Sequence, residues 1–188
     1  MWAYVYARGA RLSRRRPRHV PAPPHPVIVV AHDVRSAYNV GAVFRTADSA
    51  GLARVVLSGF SPTPAHRGVA KTALGAEDSV PWTHEPDLGA ALAGLRAEGY
   101  AVAALERAPG AVHPAAVPAE SFPLALVLGN EVLGVPPDVL ASADLVVGLP
   151  QYGSKRSLNV SVAFGVAAYR LVERYRALAG LGRGGEKV

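Results

Sequence analysis

Apolar residues fall in short unbroken runs along the chain: VIVVA at 27–31, RVVL at 54–57, YAVAAL at 100–105, LALVLG at 124–129 and DLVVGL at 144–149. Runs of this length without polar alternation suit strands buried on both faces. Between them the spacing turns helical. Val40, Val43, Phe44 and Ala47 recur at i, i+3, i+4, i+7 within 39–50, and Leu88, Ala91, Leu92 and Leu95 do the same within 86–98. Val160, Phe164, Ala167, Leu171, Tyr175 and Leu178 mark one stripe over 157–179. Each such stripe buries one helix face. Pro86 and Asp87 suit a helix start, and Gly51 and Gly99 stand where a left-handed residue closes a helix. Strands alternating with helices predict an α/β fold, a parallel sheet covered by helices on both faces.

Half of the 188 residues are apolar, enough for a sizeable core, and this excludes a wholly disordered chain. There is no cysteine, which excludes disulfides, thiolate metal sites and a cysteine nucleophile. The six histidines lack metal-ligand spacing, so no metal is expected. No apolar run approaches the roughly 20 residues of a membrane span, and MWAYVYARGARLSRRR lacks the order of a secretory signal. The expectation is a cytoplasmic protein without membrane contact, although an Arg-rich, acid-free start also fits a transit peptide.

Charge divides the chain. The net charge is +6, and Arg8, Arg11, Arg14, Arg15, Arg16 and Arg18 all precede the first acidic residue, Asp33; beyond it 14 bases face 14 acids. Five prolines within 17–26 favour an extended connector. The expected organisation is a flexible basic arm at 1–26, a domain at 27–179 and a frayed end at 180–188. The six arginines are candidates for salt-sensitive binding to a polyanion, against the plain reading of a solvated tail.

Three segments break apolar patterns with glycines and polar groups near strand ends, where open α/β sheets place ligands. They are NVGAVFRTADSAG (39–51), LVLGNEVLGV (126–135) and LPQYGSKRSLNVSVA (149–163). In the first, Asn39 can serve as a helix cap and Arg45 can pair with Asp48 on the polar face. Alternatively, Gly41, one turn before Arg45, leaves room for a nucleic-acid backbone to approach the guanidinium. In the second, Gly129, Asn130, Glu131 and Gly134 form either an ordinary strand-terminal turn or a site. In the third, Ser157 opens the last helix as a cap or as a functional hydroxyl. Neither GxGxxG after the first strand nor GxxxxGK[ST] occurs, so dinucleotide and P-loop readings lose their main support.

Together, in order over roughly 27–175, these segments resemble the three motifs of the SpoU/TrmH-type RNA 2′-O-ribose methyltransferases of the SPOUT superfamily. KTALGAE (71–77) resembles the stretch between the first two motifs. The resemblance implies a C-terminal deep trefoil knot, S-adenosyl-L-methionine as cofactor, an RNA substrate and a homodimer. It implies that Asn39, Arg45, Glu131, Ser157 and Asn159 are catalytic. Gly129, Leu149 and Leu158, and less closely Leu105, would hold the cofactor. Gln151 departs from the Met common in the family. Lys155 and Arg156, with Tyr152, Arg67 and Lys71, are candidate RNA contacts or scattered surface charges.

The implied reaction is in-line attack of a ribose hydroxyl on a sulfonium methyl. It needs alignment and removal of a proton rather than a metal. A guanidinium with a pKa above about 12 is a poor general base. The expected role of Arg45 is therefore to hold the adjacent phosphate and stabilise the developing alkoxide, with that phosphate or a transiently deprotonated Arg45 taking the proton. Asn39 and Asn159 would orient the groups. The competing classes are a non-catalytic RNA-binding protein that keeps this fold and a dinucleotide-dependent enzyme. The brevity of the basic arm tilts the substrate toward tRNA over ribosomal RNA, with a D-loop guanosine as the expected target.

Overall fold

A computed structural model describes residues 24–181. The six arginines of the arm and residues 182–188 lie outside the described residues. In chain order the elements are β1 (His25–His32), α1 (Ala37–Ala50), β2 (Leu52–Ser58), α2 (Arg67–Ala73), α3 (Ala76–Ser79), β3 (Trp82–Glu85) and α4 (Leu88–Ala97). There follow β4 (Ala101–Leu105), β5 (Leu124–Leu128), α5 (Pro137–Ser142), β6 (Leu145–Val147) and α6 (Val160–Leu178). Six parallel strands form one sheet in the order β3-β2-β1-β5-β4-β6.

Successive side chains of β1 point to opposite faces, and both faces are covered. Val27, Val29 and Ala31 join a core with α1, α2 and α6, while Ile28 and Val30 join a second core with α4 and α5. An unbroken apolar strand is therefore what two-sided burial requires. Strand β1 starts at His25, two residues ahead of the start read from the sequence, so Pro26 lies inside it. A central strand tolerates it there because the pairing with β2 shifts register between His25 and Ile28.

Several boundaries differ from the sequence expectation. Helix α1 begins at Ala37 and its cap is Ser36, whose hydroxyl accepts from the Asn39 amide, so Asn39 is inside the helix rather than its cap. Helix α6 begins at Val160, and Asn159 rather than Ser157 caps it by accepting from the Ser161 amide. Gly51 does close α1 in a left-handed conformation, and Asp87 does cap α4. Elements α2, α3, β3 and α5 were not legible. They are short, and β3 is an edge strand of sequence WTHE, mostly exposed, with no apolar run to reveal it.

Gly41 has a role other than the one its spacing suggested. It is buried at the contact of α1 with α2, where a Cβ would overlap the Thr72 hydroxyl and the Val69 carbonyl. It makes room for α2, not for a nucleic-acid backbone. Thr72 Oγ1 lies 3.2 Å from the Tyr38 carbonyl across that contact. Gly41→Ala is expected to separate the two helices and lower stability by about 1–3 kcal/mol, the usual cost of overpacking, in a thermal or denaturant melt.

Candidate functional site

The sheet order reverses between β1 and β5, and a crevice at the carboxyl ends of such neighbouring strands is where open α/β sheets hold ligands. The loops leaving those two strands are locked together by Glu131. Its Oε2 accepts from the Arg35 amide at 2.9 Å, and its Oε1 accepts from the Ser36 amide at 3.1 Å and from Asn39 Nδ2 at 2.9 Å. Asn159 Nδ2 in turn donates to Asn39 Oδ1 at 3.2 Å. Residues from all three sequence motifs thus meet in one hydrogen-bonded chain, Glu131–Asn39–Asn159. Burial alone would raise the Glu131 carboxyl, but the bonds from Arg35, Asn39 and Ser36 outweigh it and hold the group below its ordinary value of 4.5.

The turn after β5 is built for this contact. The Asn130 and Gly134 backbones exchange hydrogen bonds at 3.0 and 2.9 Å, closing a tight loop. Asn130 Oδ1 accepts from the Val132 and Leu133 amides inside the loop. Asn130 Nδ2 donates to the Asp33 carbonyl at 2.9 Å, fastening the loop to the end of β1. Gly134 sits at φ +73°, and a Cβ on Gly129 would overlap the Gly134 backbone. Both glycines have a local backbone reason, as the plain reading of a strand-terminal turn held. The same closure is what delivers the Glu131 carboxylate to α1.

Beside this chain of bonds lies a cavity of about 650 Å³. Leu105, Gly129, Leu149 and Leu158, the positions expected to hold a cofactor, all line it. Glu131, Ser157, Asn159 and Arg156 line it as well. Gln151 also faces it and donates to the Leu149 carbonyl at 3.3 Å. The sequence reading missed Glu106 and Arg107, which follow directly on Leu105 at the end of β4 and also line the cavity. Glu106 accepts from the Val135 amide at 3.2 Å, bracing the loop after β5. The Arg107 guanidinium donates to the Arg156 carbonyl, joining the β4 end to the 149–159 loop. Position directly after a buried strand was the signal available for both.

Arg45 is elsewhere. It is exposed on α1, six residues beyond Asn39, and lines a separate groove with Lys71, Thr72 and Tyr169. It does not pair with Asp48, whose carboxylate instead accepts from the Ser79 hydroxyl at 2.6 Å. Lys155 and Tyr152 are exposed on the 149–159 loop, Tyr152 at 94%.

The structure also sorts the charges of a body that the sequence shows only as balanced. The acid-paired arginines of the described residues are Arg54 with Glu98, Arg96 with Asp144 and Arg170 with Glu173. Arg35, Arg45, Arg67, Lys71, Arg107, Lys155, Arg156 and Arg174 have no acidic partner among the described residues; Arg107 and Arg156 line the cavity, and Arg45 and Lys71 line the groove. No group of His, Cys, Asp and Glu among the described residues has the arrangement to hold a metal ion. No helix among the described residues is long and apolar enough to cross a membrane.

Comparison with known proteins identifies the family. Residues 26–169 match the SpoU rRNA Methylase family. A 23S rRNA (guanosine-2′-O-)-methyltransferase of Vibrio parahaemolyticus is 31% identical over 150 residues, 79% of this chain and 60% of that protein. A 23S rRNA guanosine 2′-O-methyltransferase of Bacillus subtilis is 33% identical over 144 residues, 77% of this chain and 57% of that protein. The AdoMet-bound rRNA methyltransferase from Sinorhizobium meliloti superposes with a TM-score of 0.74 at 28% identity, covering 80% of this chain and 57% of that one. The chain spans about 60% of the length of the curated relatives it matches. With its parallel sheet, its closed loop after β5 and its three joined motifs, the chain belongs to the SpoU rRNA Methylase family.

Proposed function

We propose that this chain transfers a methyl group from S-adenosylmethionine to a ribose 2′-hydroxyl of RNA. The observation that carries the reading is the hydrogen-bonded chain Glu131–Asn39–Asn159 at the edge of the 650 Å³ cavity. The cavity suits the cofactor on its own chemistry. Its size falls within the range of small-molecule pockets, about 300–1,000 Å³. Leucine side chains from the ends of β4 and β5 and from the 149–159 loop offer apolar surface to an adenine, and the Glu106 carboxylate with the Arg107 and Arg156 guanidiniums matches a zwitterion. The Ser157 hydroxyl has no protein partner among the described residues, which leaves it free for a ligand. We further propose that segments 124–178 form the trefoil knot the family resemblance implies.

When bound, the cofactor supplies a methyl group already activated by a sulfonium charge. The protein's share is orientation and charge. Glu131 is saturated by three donors, so it acts as a positioning residue that fixes Asn39 and the start of α1 rather than as a proton acceptor. Asn39 and Asn159, tied to each other, present their remaining amide groups to the reacting hydroxyl. Arg45 holds the neighbouring phosphate and stabilises the alkoxide as the proton leaves, to that phosphate or to the guanidine itself.

A homodimer accounts for the distance of Arg45 from the cavity. Val162, Val166 and Tyr169 form an apolar stripe along α6, each between 45% and 51% exposed, and Tyr169 also borders the Arg45 groove. An exposed apolar stripe marks a surface made to be covered. Two copies pairing across it would bring Arg45 of one protomer toward the cavity of its partner. Val166→Glu is expected to convert the dimer to monomer in light scattering and to abolish methylation.

The relatives' names speak for a ribosomal guanosine, and the arginines at 8–18 are proposed to add sequence-indifferent affinity for RNA. The test is direct. Calorimetry should show S-adenosylmethionine binding, and mass-spectrometric mapping of 2′-O-methyl marks on tRNA and ribosomal RNA treated with the protein should locate one new mark. Absence of cofactor binding by the dimer, with RNA binding retained, would favour the non-catalytic alternative.

A further inference from the structure

Segment 71–77 stood out in the sequence, yet neither the cavity nor the Glu131 chain uses it. In the structure it supplies one wall of the groove between α1 and α2. Gly41 lets α2 lie flush on α1, and Thr72 packs its hydroxyl against the Tyr38 carbonyl. This docking fixes the adjacent residue, Lys71, with its ammonium 6.0 Å from the centroid of the Tyr38 ring. That separation is at the outer limit of a cation–π contact, enough to bias where the ammonium sits without withdrawing it from solvent.

The groove below has a volume of about 480 Å³ and is lined by Arg45, Thr46, Ser49, Lys71, Thr72 and Tyr169, among others, with no carboxylate among them. The nearby acids are engaged. Asp48 accepts from Ser79, and Glu77 accepts from the Gly75 amide at 2.9 Å. The Thr46 and Ser49 hydroxyls have no protein partner among the described residues. Two uncompensated cations with two free hydroxyls, bordered by the exposed ring of Tyr38, have the donor set of a phosphodiester site with room for an adjacent base.

We propose that Lys71, seated over Tyr38, binds the RNA sugar–phosphate backbone next to the phosphate held by Arg45, and that segment 71–77 serves to deliver it there. This rests on the reading of the chain as acting on RNA. Lys71 is then a substrate-positioning residue, placed by α2 and independent of the cofactor cavity. An ammonium on a flexible stem suits a contact that recognises charge without reading sequence.

The experiment measures fluorescence anisotropy of labelled bulk tRNA, and separately of a labelled ribosomal RNA hairpin, with the full chain and its Lys71→Ala, Lys71→Gln and Lys71→Arg variants between 50 and 200 mM salt. Loss of one phosphate contact should weaken binding by about tenfold at the low-salt end. The defect should shrink about threefold by the high-salt end, because the salt slope falls by about one contact. Lys71→Arg should restore both affinity and slope. Calorimetry with S-adenosylmethionine and the melting temperature should not change. Equal affinity and slope for Lys71→Ala and Lys71→Gln, with the unaltered chain binding RNA, would overturn the assignment while leaving the proposed function intact. A defect that Lys71→Arg does not rescue and that comes with a lower melting temperature would overturn it in favour of a structural role. Failure of the unaltered chain to bind either RNA overturns the functional reading and this site with it.

Discussion

Replacement of Arg45 by alanine is expected to reduce methyl transfer at least about 100- to 1,000-fold, the range for loss of one preorganised group that stabilises a developing oxyanion. Binding of S-adenosylmethionine should be unchanged, because Arg45 lines the α1–α2 groove and not the cofactor cavity. Arg45→Lys should be nearly as inactive, since an ammonium cannot engage a phosphate through two parallel hydrogen bonds. Single-turnover methylation beside calorimetry separates the two effects. Turnover near the unaltered rate in Arg45→Ala would remove Arg45 from the mechanism.

Glu131→Gln is the second substitution with a large expected effect. The carboxylate receives three donors on two oxygens, and an amide offers one oxygen and one NH₂ group, so at least one donor would face another donor. Asn39 and the first turn of α1 would lose their fixed position. Methyl transfer should fall about 100-fold through misorientation. The stability cost should be modest, about 1–2 kcal/mol, because the carboxylate is largely exposed and solvent screens its bonds.

The pH dependence follows from the direction of the Glu131 shift. Its carboxyl lies below 4.5 in the fold, so the ionised form contributes stability that is fully present above 4.5 and is lost as pH falls through the lower folded value. Urea unfolding should show the unaltered protein ahead of Glu131→Gln at neutral pH and the two converging only on the acid side of 4.5. A constant gap across that range would mean that the carboxylate charge is not what holds the loop after β5 to α1.

Legibility in the sequence tracked the strength of burial. Strands β1, β2, β4 and β5 were visible because residues such as Val29, Val55, Ala103 and Leu126 are fully buried, and burial on both faces leaves unbroken apolar runs. Helices α1, α4 and α6 were visible because each buries one periodic stripe. Strand β3 and helices α2, α3 and α5 bury little, so their patterns carried no signal. Capping shows the limit most sharply. Ser36 and Asn159 cap α1 and α6, where the pattern alone pointed to Asn39 and Ser157. All four are residue types that cap well, and only backbone geometry chooses among them.

The site divides along the same line. By itself the sequence determined the α/β class, the family, the excess charge of the first residues and the identity of nearly every polar group at the site. These are properties of local pattern and motif. Only the tertiary structure decided how the groups are used. It joined Glu131 to Asn39 and Asn39 to Asn159, made Gly41 a packing residue, and set Arg45 apart from the cavity in a groove that it shares with Lys71. Each of these depends on which loops the sheet order brings side by side, from positions as far apart as Asn39 and Asn159. The +6 charge had suggested a neutral body with a basic arm. In the fold, Glu98, Asp144 and Glu173 pair with Arg54, Arg96 and Arg170, whereas Arg45, Lys71 and Arg156 have no acidic partner among the described residues. Charge balance is a sum over the chain, whereas the field that meets a ligand is set by where the fold lets opposite charges touch.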